Sequence, residues 1–225
     1  TDKGLEEGEF LKDLGFTVNF APVVDLDDTI WGCRSFPGGA ESVSELAKAY
    51  IEALQFFGVS ATIKHYPGKT LVVSDPHQNL VSATIEEEDL LPYEDLIQIE
   101  SESLVDLIMV SHIIVDGEIS SNGLPSSVSK EVIHPLKESY EGLIISDDIL
   151  MLGLQNYYDG NTDQLAIDLI LAGHDLIINF NDDPNEIYHM IQVIKEATED
   201  GTIDESQIDD SVRKILETKG FEVII

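Results

Sequence analysis

The chain has few basic residues. Its 225 residues include 12 lysines and arginines against 44 aspartates and glutamates, which gives a formal net charge of −32 at pH 7. A surface this negative repels phosphate groups, and the scattered lysines form no basic face. The composition therefore excludes nucleic acid and anionic membranes as partners that would be bound by charge.

Other features are also missing. The single cysteine, Cys33, cannot form an intramolecular disulfide, so the fold does not depend on an oxidising compartment. No apolar run reaches the roughly 18 residues of a membrane-spanning helix. The sequence begins at Thr1 without a recognisable signal peptide. It also has no cysteine pair, no His-x-x-x-His and no complete calcium loop, so we expect no metal and no cofactor.

What is present is the pattern of a packed core, with 43% hydrophobic residues. Short β-branched runs alternate with longer segments of helical periodicity, which is typical of βαβ units and a parallel sheet. The five runs lie at 16–24, 60–64, 107–115, 143–146 and 175–180, and the predicted helices at 41–57, 85–101, 130–139, 162–172, 185–199 and 204–219. There is no linker, so we predict one α/β domain over residues 1–225.

Polar side chains follow the ends of these runs. Asp25 follows the first run, His65 the second and Asp147 the fourth, while His112 lies within the third. The carboxyl ends of parallel strands are where ligand-binding loops collect. We therefore expect these residues to share one rim.

One segment, Lys64-His65-Tyr66-Pro67-Gly68, is followed by Asp75-Pro76-His77. An aspartate two residues from a histidine can orient the imidazole and raise its basicity, which suits general acid/base chemistry near neutral pH. The alternative is a solvent-facing turn that contains Pro76.

Two further segments suggest a sugar site. An apolar run leads directly into Asp147 and Asp148. Two adjacent carboxylates in a confined site do not both ionise easily, and one that faces a sugar or a metal is a common arrangement. Alternatively, one of them caps a helix that begins near Ile149. Arg34 shares a loop with Trp31, the only tryptophan. Its guanidinium suits carboxylates or sugar hydroxyls, and an ion pair with a carboxylate is the alternative.

Taken in order, these segments resemble the NagZ-type β-N-acetylglucosaminidase branch of glycoside hydrolase family 3. The motifs that carry the resemblance are Ala21-Pro22-Val23-Val24-Asp25, Arg34-Ser35-Phe36, Lys64-His65-Tyr66-Pro67-Gly68, Asp75-Pro76-His77, Met109-Val110-Ser111-His112 and Ser146-Asp147-Asp148-Ile149-Leu150-Met151. They span nearly the whole chain. The sequence departs from the family at Lys69-Thr70, where the family has His-Gly, and at Pro76, where it has serine.

The resemblance implies a TIM-type (β/α)8 barrel, of which this chain carries about five of the eight βα units. It further implies a retaining exo-glycosidase that hydrolyses terminal β-linked N-acetylglucosamine in peptidoglycan or chitin fragments, without a cofactor. In that scheme Asp147 is the nucleophile and His77 is the general acid/base with Asp75 as its partner. The implied substrate-binding residues are Arg34, Lys64, His65, Asp25 and His112, although His112 suits a buried structural role equally well.

Other interpretations stay open at this point. The chain could be a family 3 β-glucosidase, a non-catalytic sugar-binding or assembly homologue of the same barrel, or an unrelated α/β barrel. A five-stranded barrel leaves open sheet edges. We therefore expect either a chain that lacks its N-terminal part or a shortened homologue that covers the edges by self-association. The resemblance to wall-recycling enzymes implies a cytoplasmic protein, with an exported form as the alternative.

The acidity also needs an explanation. Acidic runs such as 86–89 and 204–210 fall on predicted outer helices, whereas the predicted site gathers Arg34, Lys64, His65, Lys69 and His77. Dense surface carboxylates keep a protein hydrated in concentrated salt, so we hypothesise that the acidic exterior reflects adaptation to high salt.

Overall fold

The fold is built around a parallel sheet in a computed structural model that describes residues 2–70, 78–97 and 104–223. The strands, in chain order, are β1 (Val18–Asn19), β2 (Ser60–Tyr66), β3 (Ser82–Ile85), β4 (Leu107–Val110), β5 (Ile114–Gly117), β6 (Leu143–Asp148) and β7 (Leu176–Ile178). The main sheet has the order β1-β2-β4-β6-β7, and all of its pairings are parallel. Strands β3 and β5 pair separately, also in parallel.

Helices connect the strands. They are α1 (Asp2–Asp13), α2 (Ala40–Gln55), α3 (Glu87–Ile97), α4 (Lys130–Ser139), α5 (Leu152–Tyr157), α6 (Thr162–Ala172), α7 (Pro184–Glu199) and α8 (Glu205–Thr218), with a 3₁₀ turn at Ser126–Val128 before α4. Their starts follow local chemistry, because the side chains of Asn161, Asp183 and Asp204 accept hydrogen bonds from the first turns of α6, α7 and α8. Helix α6 ends at Gly173, whose φ of 119° a residue with a side chain rarely adopts.

The main sheet is buried on both faces and curls into part of a barrel. On the outer face, alternate residues such as Ile63, Ile108 and Ile144 pack in one cluster with residues of α2, α3 and α4. On the inner face the buried residues are Leu107, Met109, Leu143, Ile145 and Ile178, with Ile215 of α8 packed against them. Burial on both faces is the reason that these strands are continuous apolar runs in the sequence.

All five predicted runs contain strands of the main sheet, and the incomplete TIM-type barrel is confirmed. The third run, 107–115, is interrupted after Val110, so that its first part is β4 and its second part enters β5. Helices α1 and α5 and strand β3 were not predicted. The predicted helix at 85–101 is observed over Glu87–Ile97, and its last residues lie outside the described ranges.

The two outermost strands of the described sheet are β1 and β7. Large apolar side chains near them face solvent, including Phe16, Phe20 and Phe180, which are 54%, 38% and 71% exposed. Within the described ranges, none of the helices combines the length and apolar composition that crossing a lipid bilayer requires.

Candidate active site

The carboxyl ends of the main-sheet strands bring the described candidate residues together. Lys64 and His65 lie near the end of β2, and a parallel bridge from Val23 to Lys64 places the following Asp25 beside them. Asp147 lies at the end of β6, and His112 follows β4. The rim expected from the sequence therefore exists.

Asp25 holds His65 in one orientation. Its Oδ1 accepts a hydrogen bond from the backbone N–H of His65 at 3.0 Å, and its Oδ2 lies 2.8 Å from Nδ1 of the same residue. On the other side of the ring, Nη2 of Arg34 lies 3.4 Å from Nε2. Because a carboxylate only accepts and a guanidinium only donates, these contacts suit an imidazole with its proton on Nδ1. Asp25 is itself fully covered and faces His65 rather than solvent.

Arg34 is positioned by a loop that folds around Asp28. The Asp28 carboxylate accepts backbone hydrogen bonds from Trp31 at 2.7 Å, Arg34 at 2.8 Å and Cys33 at 3.1 Å. Burial raises the pKa of Asp28, but these N–H groups and that of Gly32 outweigh it and lower the pKa to about 2. Asp28 thus stays ionised and fixes the backbone from which Arg34 projects.

Electrostatics at the rim favour an ionised Asp147. Burial alone raises the pKa of its carboxyl, but the imidazoles of His65 and His112, the N–H of Asp148 and the ammonium of Lys64 outweigh burial and lower the pKa below 3.8. The pKa of Lys64 is lowered as well. Burial and the nearby Arg34 lower the pKa of its ammonium, although Asp147 and Asp25 oppose that change. The rim thus holds a carboxylate surrounded by donors and cations.

Asp147 and Asp148 have different surroundings. The backbone N–H of Asp148 donates to Oδ1 of Asp147 at 2.8 Å. Oδ1 of Asp148 accepts from the backbone N–H groups of Leu150 at 3.2 Å and Phe180 at 3.3 Å. Asp148 therefore ties the end of β6 to the segment after β7, and Asp147 is the carboxylate that points into the rim. The prediction of a helix that begins near Ile149 is wrong, because the chain forms a turn there and α5 begins at Leu152, after Met151, without a side-chain cap.

His112 is buried with protein partners at both ring nitrogens. Nδ1 lies 2.8 Å from Oγ of Ser127, and Nε2 lies 3.1 Å from the backbone oxygen of Asp148. Burial lowers the pKa of this imidazole, although Asp147 and Asp148 oppose the shift. His112 therefore lies at the rim, but both of its ring nitrogens contact protein atoms.

Asp75 and His77 lie outside the described residues. The segment just before them contains Lys69, one of the departures from the family pattern. Nζ of Lys69 contacts Oδ2 of Asp89 at 3.1 Å and Oε2 of Glu86 at 3.5 Å, and it donates to the backbone oxygen of Thr84 at 3.0 Å. Lys69 thus joins the end of the β2 segment to β3 and to the start of α3.

Three residues at this site were not predicted to function there. Tyr93 of α3 donates to Oδ1 of Asp25 at 3.3 Å from 68 positions away. Asp28 organises the Arg34 loop, and Ser127 contacts His112. An acidic residue just before the Trp31 loop was a usable signal for Asp28, whereas nothing in the local sequence marks Tyr93 or Ser127. In the part of the chain that the structure describes, no three His, Cys, Asp or Glu side chains are grouped to hold a metal ion.

Comparison with known proteins gives a family match. Residues 2–218 match the glycosyl hydrolase family 3 N terminal domain. The chain is 28% identical over 235 residues to beta-hexosaminidase LpqI of Mycobacterium tuberculosis, with 97% of this chain and 58% of that protein covered. It is 33% identical over 172 residues to a beta-hexosaminidase of Tolumonas auensis, with 73% and 50% covered.

Solved structures show the same fold. The chain superposes on a glycoside hydrolase family 3 beta-N-acetylglucosaminidase from a Paenibacillus species with a TM-score of 0.85 and 26% identity, over 99% of this chain and 44% of that one. The structure of M. tuberculosis LpqI matches with a TM-score of 0.84 and 26% identity, over 98% and 66%. The chain spans about half the length of the curated relatives it matches.

Proposed function

Because the chain belongs to glycosyl hydrolase family 3, whose N-terminal domain it matches, we propose that it carries the active site of a retaining exo-glycosidase that releases terminal β-linked N-acetylglucosamine from peptidoglycan or chitin fragments. The observation that carries the proposal is the position of the Asp147 carboxylate at the carboxyl end of β6, on a rim that also carries His65, His112 and Lys64. The relatives named above as beta-hexosaminidases support this sugar.

Asp147 is the nucleophile in the proposed mechanism. An oxygen of its carboxylate bonds to the anomeric carbon as the glycosidic C–O bond breaks, which leaves a covalent glycosyl-enzyme and a departing alcohol. Water then attacks the same carbon, and the carboxylate leaves. Two displacements at one carbon give net retention of configuration. The lowered pKa of Asp147 keeps the attacking group ionised at neutral pH.

Arg34, Lys64 and His65 form the sugar-binding side of the rim. Two of these side chains are held in place before substrate binds, because Asp25 orients His65 and Asp28 orients the Arg34 loop. The pre-organised donors of Arg34 and the acceptor Nε2 of His65 can then meet sugar hydroxyls without a further ordering cost. In this arrangement Asp25 contributes to binding through His65.

The first displacement also needs an acid and the second a base. The resemblance assigns both tasks to His77, with Asp75 as its partner. His77 would protonate the departing oxygen and later take the proton from water, so protons balance over the two steps. Since both residues lie outside the described ranges, this part of the mechanism remains a prediction from the sequence.

The deciding experiment compares hydrolysis of chromogenic β-N-acetylglucosaminide and β-glucoside by the protein in its full natural length and by its Asp147→Asn variant. We expect the natural protein to prefer the N-acetylglucosaminide and the variant to lose turnover by about 10³-fold or more while it remains folded. Asp182→Asn removes an equal charge at an exposed site and should keep full activity.

Each other outcome identifies a different function. Preference for the glucoside would indicate a family 3 β-glucosidase. Binding of N-acetylglucosamine in calorimetry without turnover by the natural protein would indicate the sugar-binding homologue. Substantial activity of Asp147→Asn would refute the nucleophile assignment.

A further inference from the structure

His112 has an environment that differs from that of a sugar-contacting histidine. It is 3% exposed, and both of its ring nitrogens are engaged by protein atoms. The backbone oxygen of Asp148 can only accept a hydrogen bond, so Nε2 of His112 must be the donor in that contact. In the neutral ring Nδ1 then has no proton, and it accepts the hydrogen bond that the Ser127 hydroxyl donates.

The partner of His112 is in turn held in place. Ser127 lies in the 3₁₀ turn before α4, and its backbone oxygen lies 2.7 Å from Nε2 of His174, which is also buried. The neighbouring Ser126 hydroxyl donates to the backbone oxygen of Ile113 at 2.7 Å. The turn therefore cannot shift without breaking contacts to two other segments, and Ser127 presents its hydroxyl to His112 from a fixed position.

The contact from His112 ends next to the nucleophile. Asp148 is held on three sides: its carbonyl by His112, and its Oδ1 by the N–H groups of Leu150 and Phe180. The backbone N–H of Asp148 donates a hydrogen bond to Oδ1 of Asp147. The direction of that N–H, and with it the orientation of the Asp147 carboxylate, depends on how Asp148 is held.

We infer that His112 is a positioning residue for Asp147, acting through the Asp148 backbone, and that it does not contact the sugar. This inference rests on the proposed function. Its reasoning is geometric: misplacing a reacting carboxylate by a fraction of an ångström slows the chemical step, whereas contacts to the bound sugar remain as they are.

The test uses two substitutions, of which one keeps and the other removes the hydrogen bond that Nε2 of His112 donates. His112→Gln retains an amide N–H that can reach the place of Nε2 and donate to Asp148. His112→Asn reaches only the place of Nδ1 and loses that donor. We expect His112→Asn to lower kcat by about 10- to 100-fold with KM nearly unchanged, and His112→Gln to recover most of the loss.

Controls separate positioning from other roles. His134→Asn changes an exposed histidine of α4 and should leave kcat and KM as in the natural protein. The pH profile of His112→Asn should keep both limbs, because a positioning residue does not exchange protons with substrate. A higher KM at unchanged kcat would overturn the inference in favour of a sugar contact. Unchanged kcat and KM in a folded His112→Asn protein would overturn it as well.

A second measurement needs neither activity nor a folded variant. Side-chain ¹⁵N shifts of the natural protein should show His112 at neutral pH as the neutral ring with its proton on Nε2. A proton on Nδ1, or an imidazolium at neutral pH, would refute the hydrogen-bond scheme. If the natural protein hydrolyses no glycoside, the proposed function fails, and this measurement still tests the geometry around His112.

Discussion

At the residue scale, the site depends on carboxylates that hold other residues of the rim in place. Asp25 is fully covered, yet it determines which nitrogen of His65 carries the proton and which accepts from Arg34. Asp28 plays a similar part for the backbone of the Arg34 loop. Acidic residues that lie beneath the sugar-binding donors can thus matter as much as the donors themselves.

Asp25→Asn tests this dependence. An asparagine that still accepts from the His65 backbone N–H turns its NH₂ toward Nδ1, so the ring must move its proton to Nε2, where it meets the donor of Arg34. We expect kcat/KM for the chromogenic N-acetylglucosaminide to fall by about 10- to 100-fold, although the side chain has nearly the same shape. The ¹⁵N shifts of His65 should show the change of tautomer directly.

The matched control is Tyr93→Phe. It removes only the 3.3 Å hydrogen bond to Oδ1 of Asp25 and leaves both contacts from Asp25 to His65 in place. Its expected cost is about 1 kcal/mol of stability with kcat/KM little changed. Equal kcat/KM in Asp25→Asn and the natural protein, with the His65 tautomer unchanged, would show that Asp25 does not control the ring.

At the element scale, helix α1 packs on α2 through glycines. Gly4 and Gly8 are its buried residues, and a Cβ added at Gly4 would lie 2.9 Å from Cβ of Ala53 and 3.0 Å from the backbone oxygen of Tyr50. At Gly8 the nearest atom would be Cδ2 of Phe57 at 2.8 Å. The two helices can approach this closely only because neither position carries a side chain.

Gly4→Ala decides between two opposite expectations. Helix propensity alone predicts that alanine stabilises the helix by about 1 kcal/mol. The contacts predict the reverse, because the methyl group meets backbone as well as a side chain, and we expect a net loss of about 1 to 3 kcal/mol in the free energy of unfolding. Urea denaturation measures the difference.

Glu6→Ala on the exposed side of α1 serves as the control. It tests the effect of alanine on the same helix without a contact to α2, and its unfolding free energy should change by less than about 0.5 kcal/mol. A stabilised Gly4→Ala protein would mean that α1 does not pack on α2 in this way.

The same helix shows why part of the fold escaped prediction. Helix α1 buries glycines and has no apolar stripe, so the periodicity that reveals α2 or α8 is missing there. The apolar run at 107–115 hides the change from β4 to β5, because β4 and the first two residues of β5, Ile114 and Val115, are all apolar and differ only in their partner strands. The predicted starts of the last two helices, at 185 and 204, agree with the structure to within one residue, because capping chemistry is local.

The site likewise has residues whose positions the sequence predicts and residues whose positions it does not. The positions of Lys64, His65, Arg34 and Asp147 at one rim could be predicted because each lies in a segment that ends or follows a strand, whereas their roles remain predictions. Tyr93 could not, since its hydroxyl matters only once α3 is packed against β2, and tertiary packing is not written in local sequence. The roles of Asp75 and His77 remain predictions.

At the scale of the whole molecule, the described sheet does not close and ends in two edge strands. Its outermost described strands, β1 and β7, lie beside exposed aromatic side chains such as Phe16 and Phe180. Self-association through these edges, expected from the sequence, remains a prediction. The proposed sugar-binding rim is formed by the segments that follow β1, β2, β4 and β6, so it includes one of the two edge strands.

The exterior carries far more negative charge than its cations can balance. The chain has 12 lysines and arginines and 44 carboxylates. Several of these cations contact groups within the fold. Lys64 lies at the rim, Lys69 joins three segments, and Lys137 donates to the backbone oxygen of Gly173 at 3.0 Å. Exposed pairs such as Lys195 with Glu199, 3.4 Å apart, neutralise little of the remainder.

This imbalance makes stability depend on ionic strength. Net charge far from zero destabilises a compact chain through self-repulsion, and raising sodium chloride from about 0.1 M to 1 M shortens the Debye length from about 10 Å to about 3 Å. If the acidity is an adaptation to salt, the melting temperature at pH 7 should rise by at least about 4 °C, a gain of roughly 1 to 2 kcal/mol for a chain of this size.

Chloride is the appropriate salt, because sulfate also strengthens apolar burial. At about pH 4, where many carboxylates are protonated, the same salt step should have a smaller effect. A melting temperature that stays constant or falls with salt at pH 7 would contradict the adaptation hypothesis.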